Sequence, residues 1–183
     1  MRALLDGSQV GIYPAMWISA ILGTPSKVSA TARMHETGVD AHTFATFEFA
    51  DSDALAHLEC TFRGCPANEV VIVGETGIIR VNRPPQAPDT YTLVQRQGDA
   101  FDPMLIRGVS TTVVTPLDPP HIGLAPGYNF VGSQGFKYEA EAVMEALADG
   151  RTEHPEMALS ETLGMAKLFD EIRAQIGLKY PWD

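Results

Sequence analysis

The chain has 183 residues, of which 45% are hydrophobic and 20% charged, and these fractions are usual for a globular protein with an ordinary core. Domains most often contain about 100–150 residues, so the length predicts a single domain spanning residues 1–183. The formal net charge is −10, and the 13 basic residues are scattered along the sequence. This distribution argues against nucleic acids and membranes as partners, because both require clustered Lys and Arg.

The sequence contains two cysteines, Cys60 and Cys65, whose spacing does not match the pairs that bind zinc. We expect a buried Cys60, a free Cys65 in a loop, and no metal site; a disulfide between them is the less favoured alternative. The longest apolar stretch, residues 11–23, is shorter than the roughly 20 residues of a membrane-spanning helix. No signal-peptide pattern is recognisable, so we expect a cytoplasmic protein.

The first 25 residues predict a turn followed by a helix. Residues 6–8, Asp-Gly-Ser, are prone to turns, and the apolar residues between Tyr13 and Leu22 form one broad face. Gly23 and Pro25 follow this segment, and a Gly past the last turn with a Pro after it is a common helix stop.

Residues 26–115 change to the alternation of apolar and polar residues that is typical of half-buried strands. A tight hairpin is expected where Gly74 and Gly77 enclose two residues. The short connections predict antiparallel pairing, and the polar alternate positions predict an open sheet that helices cover on one face only. The expected strands are residues 28–34, 43–49, 54–62, the hairpin 69–81, 91–96 and 106–114.

The C-terminal part predicts a long loop and two helices, which together with the strands give an α+β fold. Residues 117–132 are rich in Pro and Gly, and a loop of that length is usually functional. Ser133 is expected to cap the first helix, and the second begins near Ser160 and ends at Gly177. Each helix has a stripe expected to face the core: Phe136, Ala140, Val143, Met144 and Leu147 in the first, and Met165, Leu168, Phe169, Ile172 and Ile176 in the second.

Several catalytic patterns are absent from the sequence. No GxGxxG follows a predicted strand and no βαβ alternation is present, so a Rossmann dinucleotide site is not expected in this chain. Residues 127–134 have two glycines at P-loop spacing, but Ser133 stands where the phosphate-binding Lys is required. His35 and His57 fall on the polar faces of strands, which favours surface histidines over ligands or bases.

Three segments of the sequence resemble the C-terminal domain of the Gfo/Idh/MocA oxidoreductases, a family that includes inositol and dihydrodiol dehydrogenases. The first is residues 3–23, with Ala-Leu-Leu-Asp at 3–6 and Gly-Ile-Tyr-Pro at 11–14. The second is the hairpin with Gly-Glu-Thr-Gly at 74–77, and the third runs from 138 to 181. The order of the segments agrees with the order of elements predicted above.

The resemblance implies an open-faced, mostly antiparallel sheet whose free face makes subunit contacts in homo-oligomers. It also implies a sugar or polyol substrate and NAD or NADP as the cofactor of the complete enzyme. In that family a Rossmann domain and a Glu-Lys-Pro motif with the catalytic Lys precede this domain, and this sequence contains neither. We therefore expect a Rossmann domain in cis or in trans, and no nucleotide binding by this chain alone.

The resemblance also implies candidate site residues. The family places an Asp four residues before a His or Tyr that faces the substrate carbon. Tyr13 corresponds to that His or Tyr and is the candidate catalytic residue. Gln9 corresponds to the Asp, whereas Asp6 lies three residues further upstream, as though residues 7–9 were inserted. Asp6 and Gln9 are both candidates for binding a substrate hydroxyl.

Two functions remain open on the sequence. The first is the substrate-binding and oligomerisation half of an NAD(P)-dependent oxidoreductase, inactive without its nucleotide domain. The second is a non-catalytic ligand-binding or assembly domain, which the missing nucleotide half and the altered Asp position favour.

Overall fold

The computed structural model describes residues 7–98, 108–115 and 135–180. In chain order the elements are α1 (Gly7–Leu22), β1 (Lys27–Met34), β2 (Asp40–Glu48), β3 (Leu55–Thr61), β4 (Val70–Gly74), β5 (Gly77–Val81), β6 (Thr90–Gln95), β7 (Val109–Val114), α2 (Phe136–Ala148) and α3 (Leu159–Ile176).

The chain forms two compact units, one of Met1–Pro66 with Glu153–Asp183 and one of Ala67–Thr152. Each unit contains one open antiparallel sheet, with strand order β1-β2-β3 in the first and β4-β5-β6-β7 in the second. The predicted α+β class with antiparallel pairing is confirmed. Every predicted strand that falls within the described residues is present, with ends that differ by up to three residues.

The core of the first unit follows from the alternation along its three strands. Phe47 on β2 is fully buried, and its register partner Val28 on β1 is 6% exposed. Ala45 faces the same side and pairs with the buried Leu58 of β3. Helices α1 and α3 cover this face with the buried side chains Ala15, Met165, Leu168 and Ile172. Burial of each large side chain contributes about 1.5–3 kcal/mol.

Helix α1 begins six residues before Tyr13, the first residue of its predicted apolar face, and ends where expected, since Gly23 follows it with φ +77°. Gly11 lies where α1 meets the core. A Cβ there would be 3.2 Å from the ring of Phe169 and 3.4 Å from Cys60 Sγ. The missing side chain therefore lets the first turns of α1 pack closely on β3 and α3.

Helix α3 confirms the prediction for the C-terminal stripe. Met165, Leu168 and Ile172 are buried, and Phe169 and Ile176 pack against them. Gly177 ends the helix with φ +72° in the left-handed conformation that favours glycine. Near this end the Gln175 amide contacts the free edge of β1: Ala30 N–H donates to Oε1 (2.7 Å), and Nε2 donates to the Val28 carbonyl (3.0 Å). One side chain thus satisfies two edge groups that another strand could otherwise pair with.

The second unit contains the predicted hairpin, with Glu75 and Thr76 in the turn between β4 and β5. The first residue of β5, Gly77, has to be a glycine, because a Cβ there would lie 2.3 Å from the Val94 carbonyl oxygen of β6. The neighbouring strand approaches too closely for any side chain at this position.

The predicted core stripe of α2 is wrong for this structure. Four of its five residues are large and at least half exposed: Phe136 65%, Val143 50%, Met144 68% and Leu147 68%. Ala146 is the buried residue of the helix. The apolar periodicity gave the helix correctly, but periodicity cannot say whether the surface that covers a stripe belongs to the same chain. The loop 117–132 and the predicted cap Ser133 lie outside the described residues.

Candidate functional site

Tyr13 lies on the face of α1 that points away from the core. Gly11 and Ala15, two residues to either side, are buried against the sheet. A step of two residues along a helix turns about 200°, so Tyr13 is directed to the opposite side. Its side chain is 48% exposed. The phenol is therefore not enclosed by the core of the first unit.

The surface around Tyr13 is apolar. Val10 is 40% and Ile21 43% exposed on the same side of α1, and Trp17 between them is half-buried. We refer to Val10, Tyr13, Trp17 and Ile21 as the α1 stripe. From Gly7 to Ser26 the sequence contains no Asp, Glu, Lys or Arg. A polar ligand at Tyr13 would therefore be held by hydroxyl, amide and backbone groups of this helix, and a charged group would have to come from elsewhere.

Pro14, next to Tyr13, lies inside the helix. It has no N–H, so the carbonyl of Val10 receives no helical hydrogen bond from it. Val10 lies one turn before Tyr13 on the exposed side of α1.

The other two candidate residues are only partly located. The backbone of Gln9 belongs to the first turn of α1, four residues before Tyr13. Residues four apart lie on the same face of a helix, so the structure brings these two positions together. Asp6 lies outside the described residues. The assignments of Tyr13, Gln9 and Asp6 as site residues remain predictions.

A buried polar cluster, which the sequence analysis missed, lies beneath α1. Asp40 is 2% and Thr43 5% exposed, and the Thr43 hydroxyl donates a hydrogen bond to the Asp40 carboxylate. Both line a cavity of about 20 Å³, together with Cys60 and Arg173. The Arg173 guanidinium also lies 4.4 Å from the centre of the Tyr180 ring. The cavity has room for one water molecule and not for a substrate.

Cys60 is not a nucleophile in this arrangement. Burial raises the pKa of its thiol to about 11, and the negative charges of Asp40 and Glu59 add to the effect. The thiol is therefore neutral near pH 7. The structure confirms the expectation for both cysteines, since they are free, with Cys60 buried and Cys65 exposed. The sequence held no signal for the cluster, because an Asp at the start of a strand usually reaches solvent.

The outer face of the three-stranded sheet is mostly polar, and some of its side chains pair with one another across neighbouring strands. His42 Nε2 lies 3.0 Å from Glu59 Oε1, and Lys27 Nζ lies 2.6 Å from Glu48 Oε1. His57 is exposed, as predicted, and stacks on Phe44 with ring centres 5.5 Å apart. The expected use of the sheet face for subunit contacts stays a prediction.

The described part of the chain contains no Rossmann unit. All its strand pairs are antiparallel, whereas the Rossmann site is built where a helix follows a parallel strand. Within the same residues no group of three or more His, Cys, Asp or Glu could hold a metal ion. None of the described helices combines the length and the apolar composition needed to cross a bilayer.

Comparison with known proteins identifies the family to which this sequence and this fold are similar. Residues 8–80 match the family model of the GFO/IDH/MocA C-terminal domain. The trans-1,2-dihydrobenzene-1,2-diol dehydrogenase of Danio rerio is 31% identical over 183 residues, which are 99% of this chain and 48% of that protein. The Homo sapiens enzyme of the same name is 29% identical over 183 residues, with the same coverage.

Two solved structures share the fold. An NAD binding oxidoreductase from Klebsiella pneumoniae matches with a TM-score of 0.63 and 15% identity, over 93% of this chain and 47% of that one. A putative oxidoreductase from Yersinia pestis matches with a TM-score of 0.59 and 12% identity, over 96% and 50%. The chain thus spans about half the length of the curated relatives and of the solved structures that it matches.

Proposed function

This chain is a C-terminal domain of the Gfo/Idh/MocA oxidoreductase type, and on that premise we propose that it is the substrate-binding half of a cytoplasmic NAD(P)-dependent oxidoreductase. Residues 1–183 act as one substrate-binding and oligomerisation unit, inactive without a nucleotide-binding domain. The substrate is a small secondary alcohol with a neighbouring hydroxyl, a class that includes sugars, polyols and vicinal diols.

The observation that carries this proposal is the match to the Danio rerio diol dehydrogenase along 99% of the chain. Identity spread over the whole length supports a shared role for the whole domain and not only a shared framework. The name of that enzyme, a dihydrobenzenediol dehydrogenase, supports a diol as the substrate. The exposed phenol on α1 supports the same conclusion, because alcohol oxidation needs a group that exchanges the hydroxyl proton.

In the proposed mechanism Tyr13 handles that proton. Oxidation of an alcohol removes a hydride from carbon and a proton from oxygen. The Tyr13 oxygen accepts the proton from the substrate hydroxyl while its own proton passes to water, so the residue ends the step unchanged. The hydride acceptor, NAD or NADP, is held by the other half of the enzyme, and we assign it no contact with this chain.

Binding of the neighbouring hydroxyl falls to the groups one turn before Tyr13. Gln9 is the first candidate, since an amide both donates and accepts hydrogen bonds and lies at i−4 from Tyr13. The Val10 carbonyl offers an acceptor beside it. Asp6, the second candidate, would supply a charged acceptor just before the helix.

A second candidate function is a non-catalytic ligand-binding or assembly domain. The specific observation in its favour is Gln9, since an amide stands where the family carries an Asp. An amide can bind a hydroxyl but cannot take its proton. This domain would bind the same class of ligand, or a second copy through the open sheet face, without turnover.

A chimeric enzyme tests the proposal. The part of the Danio rerio dehydrogenase that this chain matches is replaced by residues 1–183, and NAD(P)-linked oxidation of a trans-diol is measured. We expect turnover, and the variant Tyr13→Phe should lower kcat by about 10²–10⁴-fold, the usual effect of losing a general acid–base group. Tyr91→Phe is the matched control, because Tyr91 is a tyrosine of similar exposure (37%) on β6.

Two outcomes of this experiment would count against the proposal. Unchanged kcat in Tyr13→Phe would show that the phenol does not take part in proton transfer. A folded chimera that binds the diol in calorimetry but shows no turnover would favour the non-catalytic domain.

A further inference from the structure

Strand β2 contains an irregularity that turns a carboxylate into the core. Along a regular strand, residues three apart lie on opposite faces, yet Asp40 and Thr43 are both buried and joined by a hydrogen bond. The pairing of β1 with β2 shifts between Arg33 and Met34, which leaves Ala41 as an extra residue on β2. A bulge of this kind re-aims the side chains beside it. Here it directs the Asp40 carboxylate inward.

This carboxylate faces the small cavity beneath α1. The cavity is enclosed by elements of the first unit: Gly11 of α1, Asp40 and Thr43 of β2, Cys60 of β3 and Arg173 of α3 line it. All ten of the described residues in its wall are buried or half-buried. Its volume of about 20 Å³ exceeds the roughly 10–15 Å³ that one water molecule requires.

The wall of the cavity carries two groups of opposite charge. The Asp40 carboxylate accepts hydrogen bonds only, with room for about four, and the Arg173 guanidinium donates only. The Arg173 Nε atom is itself buried. A water molecule between these groups accepts a hydrogen bond from the guanidinium and donates one to the carboxylate, which satisfies both in a place with a low dielectric constant.

Other occupants fit the cavity less well. A wall with one negative and one positive group has no net charge to offset that of a bound ion. An empty cavity of this size is expected where the lining is apolar, whereas a polar lining favours water. The volume excludes an organic ligand.

We propose that this cavity is a binding site for one ordered water molecule that bridges the Asp40 carboxylate and the Arg173 guanidinium. The water joins β2 to α3 beneath the turn of α1 that contains Gly11, and the bulge in β2 exists to aim the carboxylate at it. The inference does not depend on the function proposed above, since the cavity lies on the core side of α1 and Tyr13 lies on the outer side.

A crystal structure of the unmodified 183-residue chain, at a resolution that shows ordered water, tests the site directly. We expect one density peak within about 3.2 Å of both a carboxylate oxygen of Asp40 and a guanidinium nitrogen of Arg173. An empty cavity, or a direct contact between Asp40 and Arg173 that closes it, would overturn the proposal.

Magnetic relaxation dispersion of ¹⁷O tests the site in solution, because it counts water molecules that stay inside a protein while it tumbles. The double variant Asp40→Leu with Arg173→Met makes the wall apolar and should hold one long-lived water fewer than the original chain. The matched control is Asp149→Leu with Arg151→Met, which removes an Asp–Arg pair whose side chains are 57% and 49% exposed. The control should leave the count unchanged. Circular dichroism melting shows whether each variant folds.

Urea unfolding of the two single variants and the double variant tests whether Asp40 and Arg173 act on each other. Each single change leaves one charge in the cavity wall without its opposite, so the double variant should lose less stability than the sum of the two single variants. Strictly additive losses would contradict the bridge. An equal number of long-lived waters in the original chain and in the Asp40 and Arg173 double variant would do the same.

Discussion

Phe47 and Phe44 lie three residues apart on β2 and form a matched pair for testing the fold of the first unit. Phe47 faces the helices and is 0% exposed, whereas Phe44 faces outward, is 38% exposed and stacks on His57. Both are phenylalanines on the same central strand. Replacing each with Ala changes the same atoms in two different environments.

The structure gives different magnitudes for the two substitutions. Phe47→Ala removes a completely buried ring from the core cluster of the first unit, and large-to-small changes of this kind cost about 3–5 kcal/mol of the free energy of unfolding. Phe44→Ala removes a partly solvated ring and its stacking contact, which is worth about 0.5–1.5 kcal/mol. Phe47→Ala should therefore be more destabilising by at least about 2 kcal/mol.

Urea unfolding followed by circular dichroism measures both values on the full chain. The m-value should stay the same, so that the shift in midpoint reports stability alone. If the two variants lost equal stability, or if Phe44→Ala lost more, the alternation of β2 would be inverted. A slip of one residue in register moves every side chain to the other face, so such a result would refute the assignment of the core.

The remaining predictions concern Cys60 and Gln175. Because the pKa of Cys60 is raised to about 11 in the folded chain from 9.0 as the ordinary value, its neutral thiol favours folding below pH 9. That contribution falls as pH rises from 9 to 11, by up to about 3 kcal/mol, and the fall should disappear in Cys60→Ala when urea midpoints are compared. Iodoacetamide at pH 8 should modify Cys65 alone until the chain is unfolded, and fast labelling of Cys60 would contradict its burial. Gln175→Ala removes two hydrogen bonds to the edge of β1 and should lower stability by about 1–3 kcal/mol and increase light scattering at high concentration. Exposed Gln95→Ala is its control, and equal scattering by both variants would contradict the role of Gln175 at the edge.

Much of the architecture followed from local patterns. The alternation in residues 28–34 and the paired glycines 74 and 77 act over a few residues, and the elements they predicted are present. The stripe of α3 was also predicted correctly, because its covering surface, the sheet of the first unit, belongs to the same chain. Local patterns of this kind need no knowledge of distant residues.

The candidate site was predicted less completely. Tyr13 was chosen by resemblance, and the sequence could not say whether its side chain faces the core or the solvent, because apolar residues occur on both sides of α1. The buried pair of Asp40 and Thr43 was missed for a related reason. A carboxylate is buried only where distant residues surround it, and α3, more than 100 residues later, forms part of that surrounding.

The sequence by itself determined the α+β class, the antiparallel pairing and most helix and strand positions, since these depend on periodicity and on turn residues. Only the tertiary structure decided which apolar stripes are covered. It buries that of α3 and leaves those of α1 and α2 exposed. The physical reason is that the hydrophobic effect favours burial against any apolar surface, and the sequence of one chain does not specify where that surface lies.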